Sequence, residues 1–328
     1  MDEELLVEPA LLASGEFGDA KPLGLVDLDR LPRAPLAWRL PPWPIFGIGD
    51  RSHPAAAALD GVVEPPVSID RLVAQVGRHP HAAAVSVQVL RATEPMPVDQ
   101  ALLIESLGYA VLQGSGEHAA WIAARPVVAR APEPGRVVTT RDGATLSIVI
   151  DRPAAHNAID RTMRDALFEA FTVAEMDPDI VRVALRSTGA AFGTGADLGE
   201  FGTTRDPATA HAIRGLSLPA HPLSRCATKV DVHVQGACVG SSLEIAAFAG
   251  RVTASRAAWF QLPELAMGVL PGAGGCVSVA RRIGRQRAAL MILSGQRIDA
   301  ATALRWGLVD AIMDEPPVDP RHADLHRR

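Results

Sequence analysis

From Arg136 onward, short apolar runs of strand type alternate with amphipathic helical stretches, and this alternation constrains the fold more than any other feature. Ala144–Ile150 is a β-rich run, Arg161–Val173 an amphipathic helix, and Ile180–Arg186 a second buried strand. Val230–Val234 is a third strand, leading through a turn at Gly236 into a helix that ends near Phe248. Arg251–Ala254 and Ala258–Gln261 read as short strands, Ala288–Leu293 and Ala300–Trp306 as helices. Strands joined by helices close into βαβ units with right-handed crossovers, so the expected class is α/β.

The preceding sequence obeys different rules. Residues 1–67 are proline-rich and expected to be irregular, except that Pro41, Pro42 and Pro44 bracket a strand candidate at Ile45–Ile48. Residues 68–125 are helical in pattern: Leu72, Val73 and Val76 recur at helical spacing, as do Val85, Val89 and Leu90. Pro97 precedes Val98-Asp99, as at a helix start. Leu102, Leu103, Leu107 and Val111 form a stripe expected to be buried, because an exposed patch of that size is unusual in a monomer. Pro126, Pro132, Pro134 and Gly135 mark 126–136 as a linker. The alternating region then spans 136–314, and 315–328 is a tail.

Composition removes several kinds of chemistry. Lys21 and Lys229 are the only lysines among 328 residues, which argues against a Schiff-base enzyme. Tyr109 is the only tyrosine and leaves little room for tyrosine-based catalysis. No basic run or basic-aromatic stripe points to nucleic acid. Cys226, Cys238 and Cys276 lack metal-ligand spacing, so no metal site is expected, and they suit a reducing cytoplasm. The acidic start, Met-Asp-Glu-Glu, is unlike a signal peptide, and no apolar run has membrane-spanning length.

Glu244 and Glu264 carry the clearest chemical signal. Glu244 closes Gly236-Ala-Cys-Val-Gly-Ser-Ser-Leu-Glu, and Glu264 follows Phe260-Gln-Leu-Pro. Both stand in apolar, glycine-rich settings, where a charge is costly to bury. Two such carboxylates facing one substrate can hold a water molecule and move protons both ways. Ser241 and Ser242 fall in the first turn of a helix, where free N–H groups and the positive dipole end favour anions, although serine there also serves as an ordinary cap. The loop Thr188–Glu200 is rich in small residues that let backbone N–H groups approach a ligand, or simply turn the chain. Asp197 and His156 read as structural rather than catalytic.

Taken together, Asp151-Arg-Pro-Ala-Ala-His-Asn-Ala158, Gly195-Ala-Asp-Leu198, Gly236–Glu244, Pro263-Glu264 and Leu304-Arg-Trp-Gly-Leu-Val-Asp310 resemble the enoyl-CoA hydratase/isomerase (crotonase) family in identity and order. The resemblance covers about residues 136–314. It implies a crotonase-like spiral of ββα repeats and an acyl-CoA thioester substrate, with coenzyme A part of the substrate and no separate cofactor. By position, the family's oxyanion hole falls on the N–H groups of Ala196 and Ser241, and the two catalytic glutamates of hydratases on Glu244 and Glu264. Substrate-binding positions fall on Ala154, His156, Ala158, Gly195, Asp197, Gly240 and Gly272. The implied activity is an enoyl-CoA hydratase-like lyase of fatty acid metabolism, in the cytoplasm, assembled as a homotrimer or hexamer. Two alternatives stay open: an enoyl-CoA isomerase, and a non-catalytic member that binds acyl-CoA or a partner.

The sequence departs from the family pattern in three places. Serines stand at 241 and 242 where glycine is usual, the lysine often found near Ala154 or Ala155 is absent, and the family's leucine is replaced by His156. Family members also continue with further helices after the Gly-Leu-Val segment. Residues 68–124 are similar in order and spacing to those helices, which suggests that the trimerisation module stands on the N-terminal side of this chain.

Overall fold

The computed structural model describes residues 3–34, 37–125 and 133–313. Most of the expected linker and the whole 315–328 tail lie outside them.

The first 67 residues are more ordered than their prolines suggest. After helix α1 (Pro9–Ser14), strands β1 (Gly24–Asp27), β2 (Ile45–Ile48) and β3 (Gly61–Val62) form a parallel sheet in the order β1-β2-β3. Leu12, Val26, Ile45 and Leu59 close a small core of their own. The expectation of an irregular region failed because the prolines occupy the connections, while the strands are only two to four residues long, too short to show a period.

Four helices follow: α2 (Ile69–Arg78), α3 (Pro80–Thr93), α4 (Val98–Gln113) and α5 (Gly116–Ala124). Ser68 caps α2 by accepting from Arg71 N at 3.3 Å, and proline opens α3, where its missing N–H costs nothing.

The remaining chain runs β4 (Arg136–Asp142), β5 (Thr145–Asp151), α6 (Arg161–Met176), β6 (Arg182–Ser187), α7 (Pro207–Ser217), α8 (Ala220–Cys226) and β7 (Val230–Val234). It continues through β8 (Ala237–Val239), α9 (Ser241–Phe248), β9 (Arg251–Ala254), β10 (Trp259–Gln261), α10 (Gly275–Ile283), α11 (Arg285–Ser294), β11 (Ile298–Asp299), α12 (Ala300–Trp306) and β12 (Ala311–Ile312). Six strands form one sheet in the order β12-β9-β7-β6-β5-β4, parallel except for the β4–β5 hairpin. β8, β10 and β11 form a second, smaller sheet. Asp160 joins two segments: its carboxylate caps α6 through Met163 N (2.9 Å) and accepts from Gly135 N (2.7 Å). No helix among the described residues is long and apolar enough to cross a membrane.

The helices α2–α4 share one apolar core with this region. Leu72, Val76, Val87 and Leu90 pack into the same cluster as Leu290, Met291, Phe260 and Leu270. Around it, Arg71 donates to the carbonyls of Ser294 and Gly295 (2.9 Å each), and Arg287 pairs with Glu64 (2.8 Å). The α4 stripe divides, contrary to expectation. Leu102 is buried against Leu218, Ala220 and Val277, whereas Leu103, Leu107 and Val111 are 50%, 45% and 66% exposed. The inward face of α4 is partly polar instead, and these polar groups enter the site.

Candidate active site

Two loops meet at the end of the parallel strands. The loop after β6 runs beside β8: Gly193 N donates to Ala237 O (3.0 Å), and Val239 N to Gly193 O (3.0 Å). Gly195 N then donates to Ser242 Oγ at 3.3 Å, and Asp197 N to Ile159 O at 2.9 Å. Ala196 N–H, between them, has no acceptor among the described residues. Ser241 opens α9, so its N–H has no partner within the helix either. Gly195 adopts φ +91°, and a Cβ built on it would lie only 3.6 Å from Ser241 N, which places the two free donors side by side. Gly240 is required next to them: its φ is +51°, and a Cβ there would meet Glu264 Oε1 at 2.7 Å.

Glu244 projects from the first turn of α9 and is 2% exposed. Its Oε2 accepts from Ala273 N (2.7 Å) and Gly275 N (2.8 Å). The intervening N–H groups go to a carboxylate from the N-terminal region: Glu105 of α4 accepts from Gly274 N (2.6 Å) and Cys276 N (2.8 Å). Two glutamates thus divide the donors at the start of α10, where orphan N–H groups and the helix dipole favour negative charge. Glu264 lies on a single turn, Glu264–Met267, after Pro263; it is buried, and its Oε2 has no hydrogen-bond partner among the described residues. His118 of α5 braces that turn through Nδ1 and Met267 O at 2.8 Å, so the proton must sit on Nδ1.

Burial sets the proton affinities. It pushes Glu244 up to about 7 against the pull of its two N–H donors. Burial first, and the charge of Glu244 second, push Glu264 well above the carboxylate range. The same two causes, in the same order, raise Glu105.

Glu244, Glu264, Ala196, Ser241, Gly195, Asp197, Gly240 and Gly272 all line one cavity of about 450 Å³. Ala154, His156 and Ala158 do not line it. They lie on and just beyond the turn Pro153–Ala155, with Ala154 and His156 exposed, and meet the loop where Thr194 N and Thr194 Oγ1 donate to His156 O at 3.2 and 3.4 Å. Asp197 accepts from Arg152 (2.7 Å) and from Gly199 N (2.8 Å), so its carboxylate holds the loop.

The structure adds Glu105, Tyr109 and Arg214, which sequence reasoning did not select. A signal existed for Glu105, an acid inside the apolar run Ala101-Leu-Leu-Ile-Glu105. Tyr109, set aside as isolated, packs its ring on Gly272, where any side chain would collide with it. Arg214 carried no signal, because only folding brings α7 against α4.

The sequence profile of the enoyl-CoA hydratase/isomerase family matches residues 140–327, more than half the chain, and the protein belongs to that family. It is 32% identical over 179 residues to a Mycobacterium bovis protein named probable enoyl-CoA hydratase echA8, covering 54% of this chain and 68% of that one. It is 33% identical over 178 residues to the mevalonyl-coenzyme A hydratase SIDH of Beauveria bassiana, covering 52% and 64%. An enoyl-CoA hydratase/isomerase structure from Mycobacterium abscessus superposes with a TM-score of 0.52 at 34% identity, over 58% of this chain and 74% of that one. The fold is therefore the crotonase-like α/β fold.

Proposed function

We propose that this protein is a hydratase that adds water across the double bond of a 2-enoyl-CoA thioester, and removes it in reverse. The observation that carries this reading is the pair of buried carboxylates lining one cavity beside two unclaimed N–H groups. The thioester oxygen accepts from Ala196 N–H and Ser241 N–H. Glu244, whose carboxylate two backbone N–H groups support, takes a proton from water as the oxygen attacks Cβ. The π electrons move onto the thioester oxygen as an enolate, which the two N–H groups stabilise. Glu264, still protonated, delivers its proton to Cα; exchange with solvent returns a proton to Glu264 and removes one from Glu244. Coenzyme A travels with the substrate. A hydratase needs both carboxylates, and an isomerase only a base, so retention of two supports hydration.

Copies are expected to assemble as a trimer or hexamer, a reading supported by the exposed side chains Leu103, Leu107 and Val111 along α4. Sedimentation of the full chain at monomer mass would remove it.

The test of catalysis is loss of the conjugated enoyl absorbance across a panel of 2-enoyl-CoA thioesters. Glu244→Gln and Glu264→Gln should each lower turnover by at least ~10²-fold, the usual scale for acid–base groups. Because Glu244 must be ionised, kcat/KM should fall as pH drops below about 7. Near-normal turnover by both variants would exclude the mechanism.

A further inference from the structure

α4 turns a polar row inward at helical spacing: Tyr109 and Gln113 line the cavity, and Ser106 is buried beside them. Arg214 of α7 completes it. Its guanidinium lies 4.4 Å from the Tyr109 ring centroid, and its Nε and Nη2 donate to Ser106 Oγ (3.0 Å) and Ser106 O (3.3 Å). Among the described residues no carboxylate forms an ion pair with Arg214. Glu105, whose charge acts on it, turns its two carboxylate oxygens to Gly274 N and Cys276 N and makes no bond to the guanidinium. A half-buried cation without a counter-ion is costly, and a guanidinium offers five donors, of which the structure engages two here. Nearby, Gln113 Oε1 is buried with no donor, and the Tyr109 hydroxyl has no hydrogen-bond partner among the described residues.

We infer that this row reads an oxyanion on the substrate, and that the acyl chain of the thioester ends in a carboxylate. The inference rests on the acyl-thioester reading of the site and adds the chemical class of the acyl group. Two parts of such a substrate carry oxyanions, the acyl tail and the phosphates of CoA. Position favours the tail. Tyr109 lies against Gly272, and Tyr109 and Arg214 line the same cavity as Glu244 and Glu264, with the guanidinium one aromatic ring away from Gly272. The pantetheine arm keeps the CoA phosphates far from the thioester. The tail carboxylate accepts from the free guanidinium N–H groups and from the Tyr109 hydroxyl.

Two six-carbon 2-enoyl-CoA thioesters test this, one ending in methyl and one in carboxylate. The wild-type protein should prefer the carboxylate substrate by roughly 10-fold or more in kcat/KM, the scale of one charge-assisted hydrogen bond. Arg214→Gln should abolish the preference, mainly by raising KM for the acidic substrate, and Arg214→Lys should keep part of it. Tyr109→Phe, which removes only the hydroxyl, should reduce it by a few-fold. A wild-type protein with no preference overturns the inference. So does equal weakening of both substrates by Arg214→Gln, the signature of a CoA-phosphate anchor or of a brace between α4 and α7. If neither thioester is turned over, the hydratase reading fails instead. Calorimetric binding of the two saturated acyl-CoA analogues, with the same Arg214 dependence sought, then decides this inference by itself.

Discussion

The core and the N-terminal region hold the same helix end by different means. Glu244 reaches the start of α10 from a segment about thirty residues away in sequence, inside a recognisable motif. Glu105 reaches it from 169 residues away, from a helix whose pattern announces only apolar packing. Glu244 faces the cavity, whereas Glu105 lies outside its lining, buried against the start of α10. The reacting groups are thus local to the core's own turns, and their support is imported. The N-terminal helices supply a wall of the site, through Tyr109 and Gln113, and a brace for Glu264, through His118.

Removing the imported half should have the largest effect. Deleting residues 1–130 would expose the face of α10 and α11 that α2–α4 cover and leave two α10 N–H groups unpaired. The expected product is insoluble or misassembled and inactive, as read by gel filtration and hydratase assay. A soluble, active, correctly assembled 131–328 fragment would make the N-terminal region an independent appendage.

Next in size is a change confined to the core. Ser241→Pro removes one oxyanion donor, worth roughly 3–4 kcal/mol, and should abolish measurable turnover. Proline is tolerated at the first position of a helix, so α9 should survive, which circular dichroism can verify. Ser241→Gly keeps the N–H and should remain active. An active, folded Ser241→Pro protein would place the oxyanion hole elsewhere.

The smallest effect should come from Glu105→Gln, which sharpens the comparison because it alters only the support. An amide presents an NH₂ to one of the two N–H donors, so one hydrogen bond is lost, worth about 1–3 kcal/mol. Turnover should fall by about 10-fold, through kcat more than KM. The charge of Glu105 helps to raise Glu264, so its removal should lower that proton affinity and move the alkaline limb of kcat/KM to lower pH. An unmoved alkaline limb would reduce Glu105 to a purely structural cap.

Sequence alone determined the order of β5, α6, β6, β7, α9, β9, β10, α11 and α12, because these carry their own periodicity and glycine turns, but it did not separate out β4, α7 or α8. It also singled out Glu244 and Glu264, since an acid among apolar residues is visible within a dozen positions, while Ala196 and Ser241 were assigned by resemblance to the family. It misread the first 67 residues, where strands of two to four residues leave no period to count. It also misread α4, whose stripe of four apolar residues is mostly exposed while the inward face carries Glu105, Ser106, Tyr109 and Gln113. Those assignments belong to tertiary structure: what a helix buries depends on the surface it meets, and α4 meets α7 and α10, more than a hundred residues later in the chain. Only there does Glu105 find two backbone donors, and Arg214 a tyrosine ring. Such pairings between distant segments leave no local pattern in the sequence.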